Sequence, residues 1–273
     1  MKIMKKNKLL SAKNGFYAIY TLAFAVLFFV FIGGLFGHSI SHSYPFTYFA
    51  QDSFSHLAVE RALASQGNFA TVPAYMNAGI SNGLPHNGPG EAHISYLFSR
   101  MSGIADYDAI FLITGILILL MPLLLLSALK LSWQEKILSL SLMPLLFVPN
   151  FNIGLLWGQI GAVYGLFLMM VFFLALSVDD FKKNPLILGI ILAASAVTHF
   201  PEFFFLAIFF AIYLLISNIK HIKKGFGEVI KMNRYLIVLT IIFIILTSYY
   251  LNILLRQYTT GRRRFFRPLK NKS

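Results

Sequence analysis

Tyr44-Pro45-Phe46-Thr47-Tyr48-Phe49-Ala50-Gln51-Asp52-Ser53-Phe54-Ser55-His56 stands near the start of a polar interval, about residues 38–108, between the first two long apolar runs of the chain. That interval holds half of the 10 acidic residues. Nearly everything outside it reads as lipid-soluble helix, so chemistry is expected to gather here.

Asp52-Ser53 offers a side-chain oxygen to cap a helix, and Gly67 ends the apolar pattern of Leu57, Ala58, Val59, Ala62, Leu63 and Ala64. A helix of about four turns follows from those signals. Asp52, His56 and Glu60 recur every fourth residue, which stacks carboxylate, imidazole and carboxylate along one side. Val59 and Leu63 share that side, as in a helix lying at a membrane surface with its polar edge toward a cavity. Two accounts fit the pattern: Asp52 is an N-cap on a wetted surface helix, or the row is functional.

Farther along, Gly79-Ile80-Ser81-Asn82-Gly83-Leu84-Pro85-His86-Asn87-Gly88-Pro89-Gly90-Glu91-Ala92-His93 is rich in residues that interrupt regular structure. Helical periodicity is expected to resume through Ile94, Leu97, Phe98 and Met101. The stretch is either a surface linker or a loop whose small residues let a ligand approach Glu91 and His93.

Of the 273 residues, 58% are hydrophobic and 12% charged, and the mean hydropathy is +0.72. A soluble domain of that composition could not solvate its surface, so the chain reads as an all-α polytopic membrane protein. With no cysteine, disulfides cannot hold the long loop, which must lean on the bundle or the bilayer. A formal charge of +13 would suggest nucleic acid in a soluble protein. Here the basic residues flank apolar spans as orientation signals, so nucleic acid is not an expected partner.

Lys2, Lys5, Lys6, Lys8 and Lys13 precede a first span over residues 16–36, which puts the N-terminus in the cytoplasm and the first loop outside. The run lacks a small-x-small cleavage site and is read as an uncleaved helix. Further spans are expected over 109–129, 137–148 and from the Pro149-Asn150-Phe151-Asn152 turn to residue 177. The block 185–217 is broken by His199-Phe200-Pro201-Glu202 into two short helices joined at the outer face, and 235–255 forms the seventh span. Residues 256–273 make a basic tail that this count places outside, against the positive-inside bias. The first loop, Trp157-Gly158-Gln159, the His199–Glu202 turn and Arg262-Arg263-Arg264 then all face outward.

This plan resembles the N-terminal module of the C-type membrane glycosyltransferases. Asp52-Ser53-Phe54-Ser55-His56 is similar to the Asp-Pro-aromatic-aromatic-His segment of oligosaccharyltransferase catalytic subunits. Gly88-Pro89-Gly90-Glu91-Ala92-His93 is similar to the Pro-Pro-Gly-x-His segment of mannosyl- and arabinosyltransferase-like proteins. Trp157-Gly158-Gln159 is also common in the class.

The resemblance implies a plasma-membrane enzyme using a polyprenyl-phosphate sugar donor in the membrane and a glycan or protein acceptor at the outer face. By that resemblance Asp52 is the base or the ligand of a divalent cation, Mg or Mn, and His56 orients it. Glu60, Glu91, His93, Gln159, His199, Glu202 and Arg262, Arg263 and Arg264 are the expected substrate-binding residues, the arginines clamping the carrier phosphate.

Where the family carries a second acidic pair after its third span, this chain has Pro149-Asn150-Phe151-Asn152. The family also continues beyond its seventh helix, so the resemblance implies a shortened version, active or not. A transporter or channel subunit is the rival class, although few charges fall within the spans. A retinal protein would need a Schiff-base lysine, and residues 235–255 contain none.

Overall fold

The computed structural model describes residues 15–16, 18–27, 30, 51–66, 89–129, 131–142, 159–181, 183–219 and 233–265. For 51–53, 63, 66, 133, 136, 140 and 257–265 it describes the backbone alone. Every described element is an α-helix. They are α1 (Ala18–Leu27), α2 (Gln51–Gln66), α3 (Gly90–Ser102), α4 (Asp106–Ala128), α5 (Trp133–Leu142), α6 (Ile160–Ser177), α7 (Pro185–Thr198), α8 (Phe200–Ser217) and α9 (Tyr235–Phe265).

Local signals explain several of the boundaries. At α3 the left-handed Gly103 (φ 73°) closes the helix, its N–H bonding Ser99 O at 2.9 Å. The sequence Ser132-Trp133-Gln134-Glu135 makes a reciprocal cap on α5, with Ser132 N–H donating to Glu135 Oε2 at 2.6 Å and Glu135 N–H to Ser132 Oγ at 3.4 Å. Asn184 caps α7 by accepting from the N–H groups of Leu186 and Ile187, with Pro185 in the first turn. The helix cannot run on from α7 to α8, because Pro201 lacks the N–H that would reach back one turn. His199 is accordingly extended (φ −152°, ψ 111°).

Among the described residues four helices are long and apolar enough to cross a membrane: Asp106–Ala128, Ile160–Ser177, Phe200–Ser217 and Tyr235–Arg256. Ala18–Leu27 and Pro185–Thr198 are apolar but shorter. Large apolar side chains such as Phe204, Phe205, Ile244, Ile245 and Leu255 are more than half exposed, as suits a surface that faces lipid. These features mark an integral membrane protein. The expected third span over 137–148 is described only as the 10-residue α5, and residues 143–158 lie outside the described set.

Two further boundaries differ from expectation. α3 begins at Gly90, so Glu91 and His93 are helical rather than part of an irregular stretch. α9 does not stop at residue 255 but continues to Phe265, 31 residues in all.

The directions of the helices follow from their contacts. Ile110 and Phe111 at the start of α4 pack with Ile160 and Tyr164 at the start of α6, so these two helices leave the same end of the bundle. α7 returns, and its last residue, Thr198, lies against Gly90 of α3. Glu202 on the first turn of α8 lies against Gly165 of α6, and α8 heads away again. At the far end, Asn233 Nδ2 donates to Asn218 Oδ1 at 3.0 Å, joining the end of α8 to the start of α9. α9 then climbs beside α7, where Gly189 meets Ile242 and Leu239. The α2–α3 pair caps the end from which α4, α6 and α8 depart.

Candidate functional site

α2 and α3 are joined by two rungs. His56 and Glu60, four residues apart on α2, face Glu91 and Ser95, four residues apart on α3. The helical repeat places each pair on one side of its helix, so matching the spacing aligns both contacts. His56 Nδ1 pairs with Glu91 Oε1. Ser95 Oγ donates to Glu60 Oε2 at 2.8 Å. All four residues are buried, Glu60 to 1% exposure.

A second imidazole–carboxylate pair forms where α7 gives way to α8. His199 Nδ1 pairs with Glu202 Oε2 across one turn, with both side chains about 15% exposed. The two pairs meet at α6. A Cβ added to Gly161 would lie 2.8 Å from His199 Cδ2 and 2.9 Å from Glu91 Oε2, and one added to Gly165 would lie 2.8 Å from Glu202 Cβ. Only the absence of side chains at those two positions lets the pairs approach. Glu91 Oε2, the oxygen His56 does not engage, is buried without a hydrogen bond and faces Gly161.

Of the residues singled out from the sequence, His56, Glu91, His199 and Glu202 therefore come together. Glu60 belongs to the other rung, where burial pushes its carboxyl up to about 7, moderated by the Ser95 hydroxyl. His93 is half-buried, on the side of α3 away from Glu91 and Ser95. Gln159 is exposed at the start of α6, two residues from Gly161. Asp52 lies one turn before His56 on α2, but its side chain lies outside the described residues, as do those of Arg262, Arg263 and Arg264 on the extension of α9.

Sequence inspection did not single out Ser95, Gly161 and Gly165. The glycines carry a usable signal, a Gly-x-x-x-Gly spacing in an apolar helix, which permits close approach along one face.

Among the described residues no group of three or more His, Asp or Glu side chains is arranged to hold a metal ion. The carboxylates of Glu60, Glu91 and Glu202 are each engaged by a serine or an imidazole. Among the described residues this donor set does not fit a bound divalent cation; the side chain of Asp52, the ligand that the resemblance implies, lies outside them. Around His56 the packing of Glu91, Ala92, Ser95, Ile110, Ile160 and Tyr164 leaves no room for a water molecule, whereas the His199–Glu202 pair is partly accessible. Compared with known protein families, curated proteins and solved structures, the chain matches none.

Proposed function

We propose that the protein is a membrane glycosyltransferase of the C-type fold, with seven spans, an inside N-terminus and a first loop on the outer face of the plasma membrane. The observation that carries this proposal is the convergence of His56–Glu91 and His199–Glu202 on Gly161 beneath the α2–α3 cap. Buried imidazole–carboxylate pairs at one end of an apolar bundle are costly to assemble and suit proton handling and anion recognition.

In the proposed reaction Asp52 accepts the proton of an acceptor hydroxyl or amide. The freed nucleophile attacks the anomeric carbon, and the bond from that carbon to the phosphate oxygen breaks. The electron pair leaves with the polyprenyl phosphate. His56, fixed by Glu91, is a positioning residue that sets the depth of α2 and so of Asp52 one turn earlier. The imidazole of His199, oriented by Glu202, borders the substrate, and Arg262, Arg263 and Arg264 meet the carrier phosphate. No step runs through a cation.

The absence of space around His56 supports a second reading, in which the pairs are latches of a non-catalytic polytopic protein. Transfer from a panel of polyprenyl-phosphate hexoses and pentoses, measured with the protein reconstituted in vesicles, separates the two. Asp52→Asn is expected to lower transfer by about 10²- to 10⁴-fold, the usual contribution of a general base, without changing the melting temperature. His56→Ala should cost less. Undiminished transfer by Asp52→Asn overturns the assignment of the base, and no transfer by the parent protein favours the latch.

A further inference from the structure

On the other side of the Glu60 rung lies a polar cavity of about 350 Å³ between α2, α3 and the start of α4, separate from the site at Gly161. Glu60 forms part of its wall, and Glu60 Oε1 is buried without a hydrogen bond. Arg61 also lines it, but its guanidinium is spent on Asp106, to which it donates two hydrogen bonds of 2.7 and 3.1 Å. Arg100 is different. It is exposed, it lies over the Tyr96 ring at 5.1 Å, and it borders the cavity.

Both the position and the chemistry of this cavity point to one kind of occupant. Asp106 is the first residue of a helix long enough to cross the bilayer, so the cavity sits at the membrane boundary. Ile94, Leu97 and Met101 make an apolar stripe along α3, exposed by 41, 55 and 87%. Helical geometry places Arg100 between that stripe and the cavity-facing side. A helix of this kind lies with its apolar stripe in the acyl region and its cation at headgroup level.

We infer that the cavity is a phospholipid site, in which Arg100 and Glu60 hold the phosphate of an anionic headgroup from the leaflet facing the α2–α3 cap. The guanidinium supplies charge-assisted donors, and a neutral Glu60 carboxyl supplies an O–H to a phosphate oxygen. Ionisation of Glu60 works against binding. The charged and titratable groups around it are Arg61 on its own helix, Tyr96 and Arg100 on α3, Asp106 on α4 and Tyr164 on α6, with His56 and Glu91, which pair with one another, in the neighbouring rung. Asp106 and Arg61 offset one another, which leaves Arg100 to set the sign of the site.

The test is thermal unfolding of the full chain in a neutral detergent, titrated with phosphatidylglycerol, phosphatidylcholine or inorganic phosphate. Phosphatidylglycerol is expected to raise the melting temperature at concentrations where the other two do not. Its apparent affinity should fall about tenfold in Arg100→Gln, the loss of one charge-assisted contact. Binding should be tighter at pH 6 than at pH 8, and Glu60→Gln should hold it at the pH 6 level. Unchanged affinity in Arg100→Gln overturns the site, since the residue is exposed and its loss should not unfold the protein. Equal protection by phosphatidylcholine or by inorganic phosphate overturns an anionic lipid as the occupant.

Discussion

Glu60 shows what burial does to one carboxylate. Its carboxyl is pushed from an ordinary 4.5 up to about 7, chiefly by desolvation. The folded state therefore holds a proton that the unfolded chain releases, and stability falls as pH rises through that interval. The expected loss is about 3 kcal/mol between pH 4.5 and 8. Glu60→Gln keeps an acceptor for Ser95 and removes the ionisation. Melting curves of the two proteins should converge near pH 5 and separate by pH 8, with the variant the more stable; parallel curves would refute the assignment. The sharing of one helix face by His56 and Glu60 is legible in their spacing. Their partners are not, because Glu91 and Ser95 carry the same i,i+4 spacing but nothing local says which helix faces which. The Gly and Pro residues around Glu91 read as an irregular stretch, yet Pro89 and Glu91 are also what a helix start looks like.

Helix contacts depend on small residues that periodicity does not reveal. Gly189 lets α7 and α9 close, and a Cβ there would lie 2.9 Å from Ile242 Cγ2 and 3.4 Å from the Leu239 carbonyl. Ile242 Cβ, at 3.2 Å, is fixed to the backbone and cannot swing aside as the end of a long side chain does, so Gly189→Ala must push the helices apart. A cost of about 1–3 kcal/mol is expected, read as a lower midpoint in detergent unfolding. An unchanged midpoint would show that the helices do not meet at that glycine. The break between α7 and α8 was readable from Pro201, because a missing N–H acts locally. The end of α9 was not. Its 31 residues extend about 46 Å, well beyond a hydrocarbon core of about 30 Å. Hydropathy marks where the apolar run stops and is silent on whether the backbone stays helical past it.

At the scale of the whole molecule, α4 and α6 start at the same end of the bundle, so the chain must return between Ala128 and Ile160. That return supports the third span expected over 137–148, although the described α5 alone is too short to cross. α9 climbs toward the capped end, which supports an Arg-rich segment on the same face as the first loop. The membrane class was legible in composition, whereas the meeting of the two imidazole–carboxylate pairs depends on helix packing that no single stretch encodes. The proposed function requires the cap, the two pairs and the end of α9 to share the outer face. The chain has no cysteine, so single cysteines can be introduced at Asn87, Gly225 and Gly261 and labelled with an impermeant maleimide in intact cells. Asn87 and Gly261 are expected to react from outside and Gly225 only after the membrane is opened. Protection of Gly261 together with reaction at Asn87 would put the two on opposite faces and contradict the account.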